Sequence, residues 1–193
     1  MTAKMPPQLG SLEALLKDAG ARGPAPVDLW NPIYCGDIGL KIARDGTWFY
    51  QGSPIGRMPL VKLFARVLRR DDDGRHYLVT PVEKVDVEVE DAPFLAIEME
   101  VRGQGCDQVL VFRTNVDDIV VCGLEHPMRF AVEPVGGGLK PYVLVRGRLE
   151  ALVARSVYYD LVERAVPASG EAEPRHSGGI WSAGVFFPFT QGS

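Results

Sequence analysis

Two Gly-Arg pairs, Gly56-Arg57 and Gly147-Arg148, each stand directly before a stretch of apolar residues with helical periodicity. Unpaired backbone amides at a helix entrance carry partial positive charge, so an arginine there adds to an anion-binding position. Lys62 reinforces the first entrance and Arg146 flanks the second. Thr80, Arg113 and Asn115 close strand-like runs and offer hydroxyl, guanidinium and amide groups to a phosphate, ribose or base. In "DGTWFYQG", Trp48 or Tyr50 offers a stacking face. Together these residues form the candidate ligand site. The cations have a competing use in internal ion pairs with Asp37, Glu83 or Asp117, and the residues alone leave both uses open.

Catalytic patterns are missing where the chemistry would need them. His76, His126 and His176 lie far apart and lack metal-ligand spacing. Ser53 in "GSPIG" has Gln51 and Ile55 where a nucleophile elbow requires glycines. "GGGLKP" lacks the Lys-Ser or Lys-Thr pair of a phosphate loop, and no dinucleotide fingerprint is present. "DDDG" at Asp71–Gly74 resembles the tip of a calcium loop, but Arg69 stands where an acid is required. No catalytic residue, metal or cofactor is therefore assigned. The three cysteines, Cys35, Cys106 and Cys122, adjoin strand-like runs and read as buried reduced thiols.

The elements that must position these residues follow from periodicity. "SLEALLKDAG" reads as a helix, and the Pro-rich "ARGPAPVD" after it as a linker or strap. Alternation in Ile38, Leu40 and Ile42, then Asp45-Gly46, then the aromatic run, predicts a hairpin with Trp48 and Tyr50 on one face and Phe49 on the other. Leu60, Leu63, Phe64, Val67 and Leu68 predict a helix whose opposite face carries Lys62, Arg66, Arg69 and Arg70. "HYLVT" and "VEKVDVEVED" predict two strands, the second with a solvated acidic row. Beyond "DAPF" come five short strands of an antiparallel meander, a helix over "VRGRLEALVARSVYYDLVERAV", the loop "PASGEAEPRHSGG" and a final strand in "IWSAGVFFPF". The expected division is 1–26 for the N-terminal helix and linker, 27–91 for a first α+β domain and 92–193 for a second. The repeated order of strand, Gly-Arg pair, helix, loop and strand suggests duplication, with a cleft between the copies.

The chain has 193 residues, 21 basic and 25 acidic, for a net charge of −4. That balance gives no general attraction to nucleic acid or anionic lipid. No apolar run reaches the roughly 20 residues of a membrane span, and "MTAKMPPQLG" holds no signal core, so a cytoplasmic location is expected. These features favour a non-enzymatic cytoplasmic module for a small anionic, nucleotide-like ligand. The rivals are a protein-interaction module without a small ligand and an enzyme acting on phosphoesters.

The segments "YCGDIGLKIARDGTWFYQGSPIGRMPLVKLFARVL", "GRHYLVTPVEKVDVEVEDAPF", "FRTNVDD" and "PYVLVRGRLEALVARSVYYDLVE" resemble the bacterial family called domain of unknown function 1285. The likeness runs from about Asn31 to Val166, with "DGTWFY" and "LVTPVEKV" its most specific parts. It implies an α+β protein of two domains related by internal duplication, with antiparallel sheets each carrying a packed helix. It further implies a C-terminal half loosely similar to pleckstrin-homology-like folds, a ligand site at the domain interface, and a role in bacterial signal transduction. The family has no assigned catalytic residues, so none is transferred.

Overall fold

The computed structural model describes residues 25–133, 136–165 and 178–189. The helix read over Ser11–Gly20 and the loop in "PASGEAEPRHSGG" lie largely or wholly outside them. The described chain divides into two compact α+β units, the break falling between Glu90 and Asp91.

The first unit contains β1 (Ile33–Tyr34), β2 (Leu40–Ile42), β3 (Trp48–Tyr50), β4 (Ser53–Pro54), the helix α1 (Met58–Ala65), β5 (Leu68–Arg70), β6 (His76–Val79) and β7 (Glu83–Val89). The second contains β8 (Phe94–Arg102), β9 (Val109–Thr114), β10 (Ile119–Val121), β11 (Met128–Val132), β12 (Leu139–Arg146), β13 (Leu149–Val153), the helix α2 (Arg155–Val162) and the hairpin of β14 (Gly179–Ser182) and β15 (Val185–Pro188).

The main sheets share one plan. In the first unit the order is β4-β3-β2-β7-β6-β5, with β1 also paired to β7; in the second it is β10-β9-β8-β13-β12-β11. Each is a pair of three-stranded antiparallel meanders placed side by side, joined by a parallel pairing of the first strand with the last: β2 with β7, and β8 with β13. A side-chain arrangement recurs too. On β6, the Tyr77 hydroxyl donates to Asp73 Oδ2 at 2.6 Å, with Lys84 Nζ 4.3 Å from the ring centroid. On β12, the Tyr142 hydroxyl donates to Asp91 Oδ1 at 2.7 Å, with the Arg129 guanidinium 4.2 Å from the ring centroid. Duplication thus resides in strand order and in this tyrosine, while α1 falls between the third and fourth strands and α2 after the sixth.

Several expected elements take another form. Gly147-Arg148 is not a helix entrance: Gly147, at φ +52°, begins a two-residue turn after which Leu149 pairs back on Arg146. Leu149, Ala151 and Val153 are buried at every second position, which is strand periodicity, and the helix begins only at Arg155. The first helix stops at Ala65, so Arg69 and Arg70 lie on β5 rather than on a basic helical face. There Arg69 pairs with Asp71 and donates through Nη1 to the carbonyls of Val27 and Trp30. The single meander of five strands is split between two meanders, β13 completing the second. The last strand is a hairpin because Ala183 and Gly184 both take positive φ, at +51° and +75°, the geometry of a tight strand reversal. Cys35 and Cys106 are exposed, and only Cys122 is buried, its thiol pushed up to about 12 by burial.

Each core is built on one sheet face. In the first unit Leu40, Ile42, Trp48, Leu78 and Phe64 of α1 are at most 1% exposed, with the Trp48 and Phe64 rings 6.2 Å apart. In the second unit Phe94, Leu110, Phe112, Leu161 of α2 and Ile180 of β14 are fully buried. The β14–β15 hairpin is fastened by Ser182, whose hydroxyl donates to the Cys122 carbonyl at 2.7 Å and accepts from the Leu110 amide at 2.9 Å.

Candidate functional site

The alternation that buries Trp48 and Tyr50 turns Phe49 to the other face of the first sheet. Register places Lys41 beside Phe49 and Glu88, and Tyr77 beside Asp86. This open face carries a cavity of about 840 Å³, walled by residues of β2, β3, β6 and β7 and of the turns beside them. Its size lies within the ordinary range of small-molecule pockets, roughly 300–1,000 Å³.

Its floor is a carboxylate that burial makes costly. Asp86 is 7% exposed, and its Oδ2 accepts a hydrogen bond from the Tyr34 hydroxyl. The Arg75 guanidinium comes within 2.5 Å of Oδ1, but off the hydrogen-bonding direction, so that buried oxygen has charge compensation without a donor. The Asp86 hydrogen bond raises the Tyr34 phenol above its usual range. On the rim, Lys41 Nζ lies 2.8 Å from Glu90 Oε1 and 3.2 Å from Glu88 Oε1. Those contacts raise the Lys41 ammonium and, with the Arg44 amide, hold the Glu90 carboxyl low. Burial, with Arg70 nearby, pushes His76 down to about 4, so its ring is neutral at neutral pH.

The lining contains no serine, threonine or cysteine to act as a nucleophile. Among the described residues no group of three or more histidine, cysteine, aspartate or glutamate side chains is placed to hold a metal. What the arrangement offers is a charged, partly aromatic surface for binding.

The candidates from the sequence lie elsewhere. Trp48 is 1% exposed and Tyr50 7%, both on the core face, and the Tyr50 hydroxyl accepts from Gln51 Nε2 at 3.1 Å. Arg57 is the exposed N-cap of α1 and Lys62 lies in that helix's last turn. Thr80 is fully buried, its hydroxyl oxygen accepting from the Val82 and Glu83 amides to lock the turn before β7. Arg113 pairs with Glu98 and Asp117, and Asn115 binds the Leu95 backbone in both directions. Arg146 pairs with Asp118 and lies over the Phe94 ring, and Arg148 is exposed in the β12–β13 turn. None of them lines the cavity. Phe49, Lys41 and the acidic row of β7 were visible as an alternating pattern; Tyr34 and Arg75 gave no periodic signal.

Among the described residues no helix is long and apolar enough to cross a membrane. No curated protein matches the chain. A crystal structure of a DUF1285 family protein from Silicibacter pomeroyi DSS-3 is similar, with 50% identity over 90% of this chain and 93% of that one, at a TM-score of 0.81. A second, of a DUF1285 family protein from Shewanella baltica OS155, shares 29% identity over 65% of this chain and 91% of that one, at a TM-score of 0.51. The N-terminal domain of DUF1285, a domain of unknown function, matches residues 25–92, and the C-terminal domain matches residues 93–189. With both domain patterns present in order and adjoining, the chain belongs to the DUF1285 family.

Proposed function

We propose that the chain is a non-enzymatic ligand-binding module of bacterial signal transduction, and that a small molecule binds on the open face of the first sheet. The supporting observation is Asp86: a carboxylate buried at a cavity floor, whose Oδ1 is ion-paired with the largely exposed Arg75 yet accepts no hydrogen bond, is an arrangement that a bound donor would improve. The test is thermal unfolding of the full chain against a panel of nucleotides, organic anions and organic cations. A compound at one hundred times its dissociation constant adds about 2.7 kcal/mol, a readily measured rise in midpoint. A rise abolished by Phe49→Ala supports this site, and a panel that produces none overturns the binding reading.

A second reading keeps the anionic, nucleotide-like ligand expected from the sequence, with the pleckstrin-homology-like likeness of the second unit. One observation favours it. The N-terminus of α1 has no side-chain cap and no acidic residue in its first turn, and Arg57 stands at the cap position. Under that reading Arg57→Ala weakens nucleotide binding and Phe49→Ala leaves it unchanged.

A further inference from the structure

The charge of the cavity identifies the class of ligand, an inference that rests on the binding reading above. Four carboxylates, Asp37, Asp86, Glu88 and Glu90, face it against two cations, Lys41 and Arg75. An anion entering it meets net repulsion, whereas a cation meets attraction strengthened by the low-dielectric wall. Phe49 supplies a partly exposed ring of the kind that organic cations lie against.

Arg75 shows how such a cation would be held. Its side chain is 58% exposed and stems from the turn before β6, yet its guanidinium reaches inward to the buried Asp86 carboxylate. We propose that Arg75 is a built-in stand-in for the ligand: an organic cation bearing a guanidinium or primary ammonium group displaces it from Asp86, donates to Oδ1, and is flanked by Glu88. The displaced Arg75, more than half exposed, turns to water, and the incoming cation takes over compensation of the buried Asp86 charge. The buried oxygen gains the directed donor that Arg75 does not give it.

This assignment predicts an unusual pairing of effects. Without ligand, Arg75→Ala destabilises the protein by leaving Asp86 without its cation; with ligand, the same change removes a competitor and tightens binding. The experiment is titration calorimetry of the full chain with agmatine and spermidine, and with adenosine monophosphate as the anionic probe. Wild type is compared with Arg75→Ala, Asp86→Asn and Glu88→Gln, each checked for its unfolding midpoint. Expected is binding of at least one cation, tightened roughly three- to tenfold by Arg75→Ala and weakened by a similar factor in Glu88→Gln. Asp86→Asn should abolish it, and exposed Glu88 keeps the test decisive if that variant does not fold. Failure of both cations to bind wild type and Arg75→Ala overturns the assignment. So does adenosine monophosphate binding that Arg75→Ala weakens, but that outcome leaves the binding reading standing, whereas loss of every midpoint shift in the wider panel removes both.

Discussion

Replacing Asp91 by alanine should cost the second unit about 1–4 kcal/mol, and the contacts of that carboxylate show why. Its Oδ1 accepts from the Tyr142 hydroxyl at 2.7 Å and its Oδ2 lies 2.6 Å from Lys140 Nζ. Tyr142 is 6% exposed, so without Asp91 its hydroxyl becomes a buried donor with its acceptor gone, a loss of about 1–3 kcal/mol. Lys140 is 22% exposed and keeps Glu133 at 3.9 Å, so breaking its pair adds about 0–1 kcal/mol. Burial first, and the Asp91 hydrogen bond second, raise the Tyr142 phenol above its ordinary range, consistent with a desolvated donor. The assay is urea unfolding of wild type, Asp91→Ala, Tyr142→Phe and the double variant. Tyr142→Phe removes the donor itself and should cost only about 1 kcal/mol, because Asp91 retains Lys140. Once the hydroxyl is gone, deleting its acceptor matters less, so the double variant should be more stable than the sum of the singles by about 1–2 kcal/mol. Strict additivity, or an Asp91→Ala cost below about 0.5 kcal/mol, would refute the argument that an orphaned phenol dominates.

Three other perturbations test the structure. Because His76 in the folded state takes up a proton only at about 4 rather than 6.5, stability is full above that upper value and declines as pH falls through the window. Discounted for its partial exposure, the effect is about 1–2 kcal/mol, and a His76→Gln variant should lose less stability between pH 7 and 4.5 than wild type; parallel pH profiles would contradict this. Gly179→Ala would set a Cβ 2.5 Å from both the Phe186 ring and the Phe187 carbonyl oxygen. It should cost at least about 2 kcal/mol and speed proteolysis of the β14–β15 hairpin, and a stable variant would show that the hairpin can shift. Arg57→Asp supplies α1 with the side-chain cap it lacks and should raise stability by about 0.5–1 kcal/mol in chemical unfolding, while a loss would mean that the contacts Arg57 already makes outweigh the cap.

Legibility in the sequence followed the range of the forces involved. The β2–β3 hairpin was readable because the apolar alternation and the Asp45-Gly46 turn act within a few residues, and Gly46 takes the expected positive φ of +80°. The Leu149–Val153 strand was misread because "RLEALVARSVYYDLV" satisfies helical and alternating spacing at once, and pairing on both sides, with β12 across the Gly147 turn and with β8 far back in the chain, selects the strand. Periodicity separated Phe49 from Trp48 and Tyr50 but could not say which face α1 would cover. The site was legible in part for the same reason. The acidic row of β7 stands out in any reading, whereas Arg75 and Tyr34 reach Asp86 only through tertiary folding. Arginines at strand ends read alike whether they await an anion or hold a carboxylate, and for Arg113 and Arg146 the partners Glu98 and Asp118 are remote in sequence.

The parallel seam between the first and last strand of each main sheet bears on how the chain becomes folded. Within a unit, both meanders are assembled from sequence neighbours and can form quickly, but neither is complete until its two ends meet. The slow step is then a closure whose entropic cost grows with the whole span between those ends. During synthesis the first unit can consolidate only after β7 has left the ribosome, and the second only after β13. Until β13 emerges the free edge of β8 is exposed to pairing with the wrong strand, and because both units share one strand order, the equivalent strand of the first unit, β7, is already made and suited to take that place.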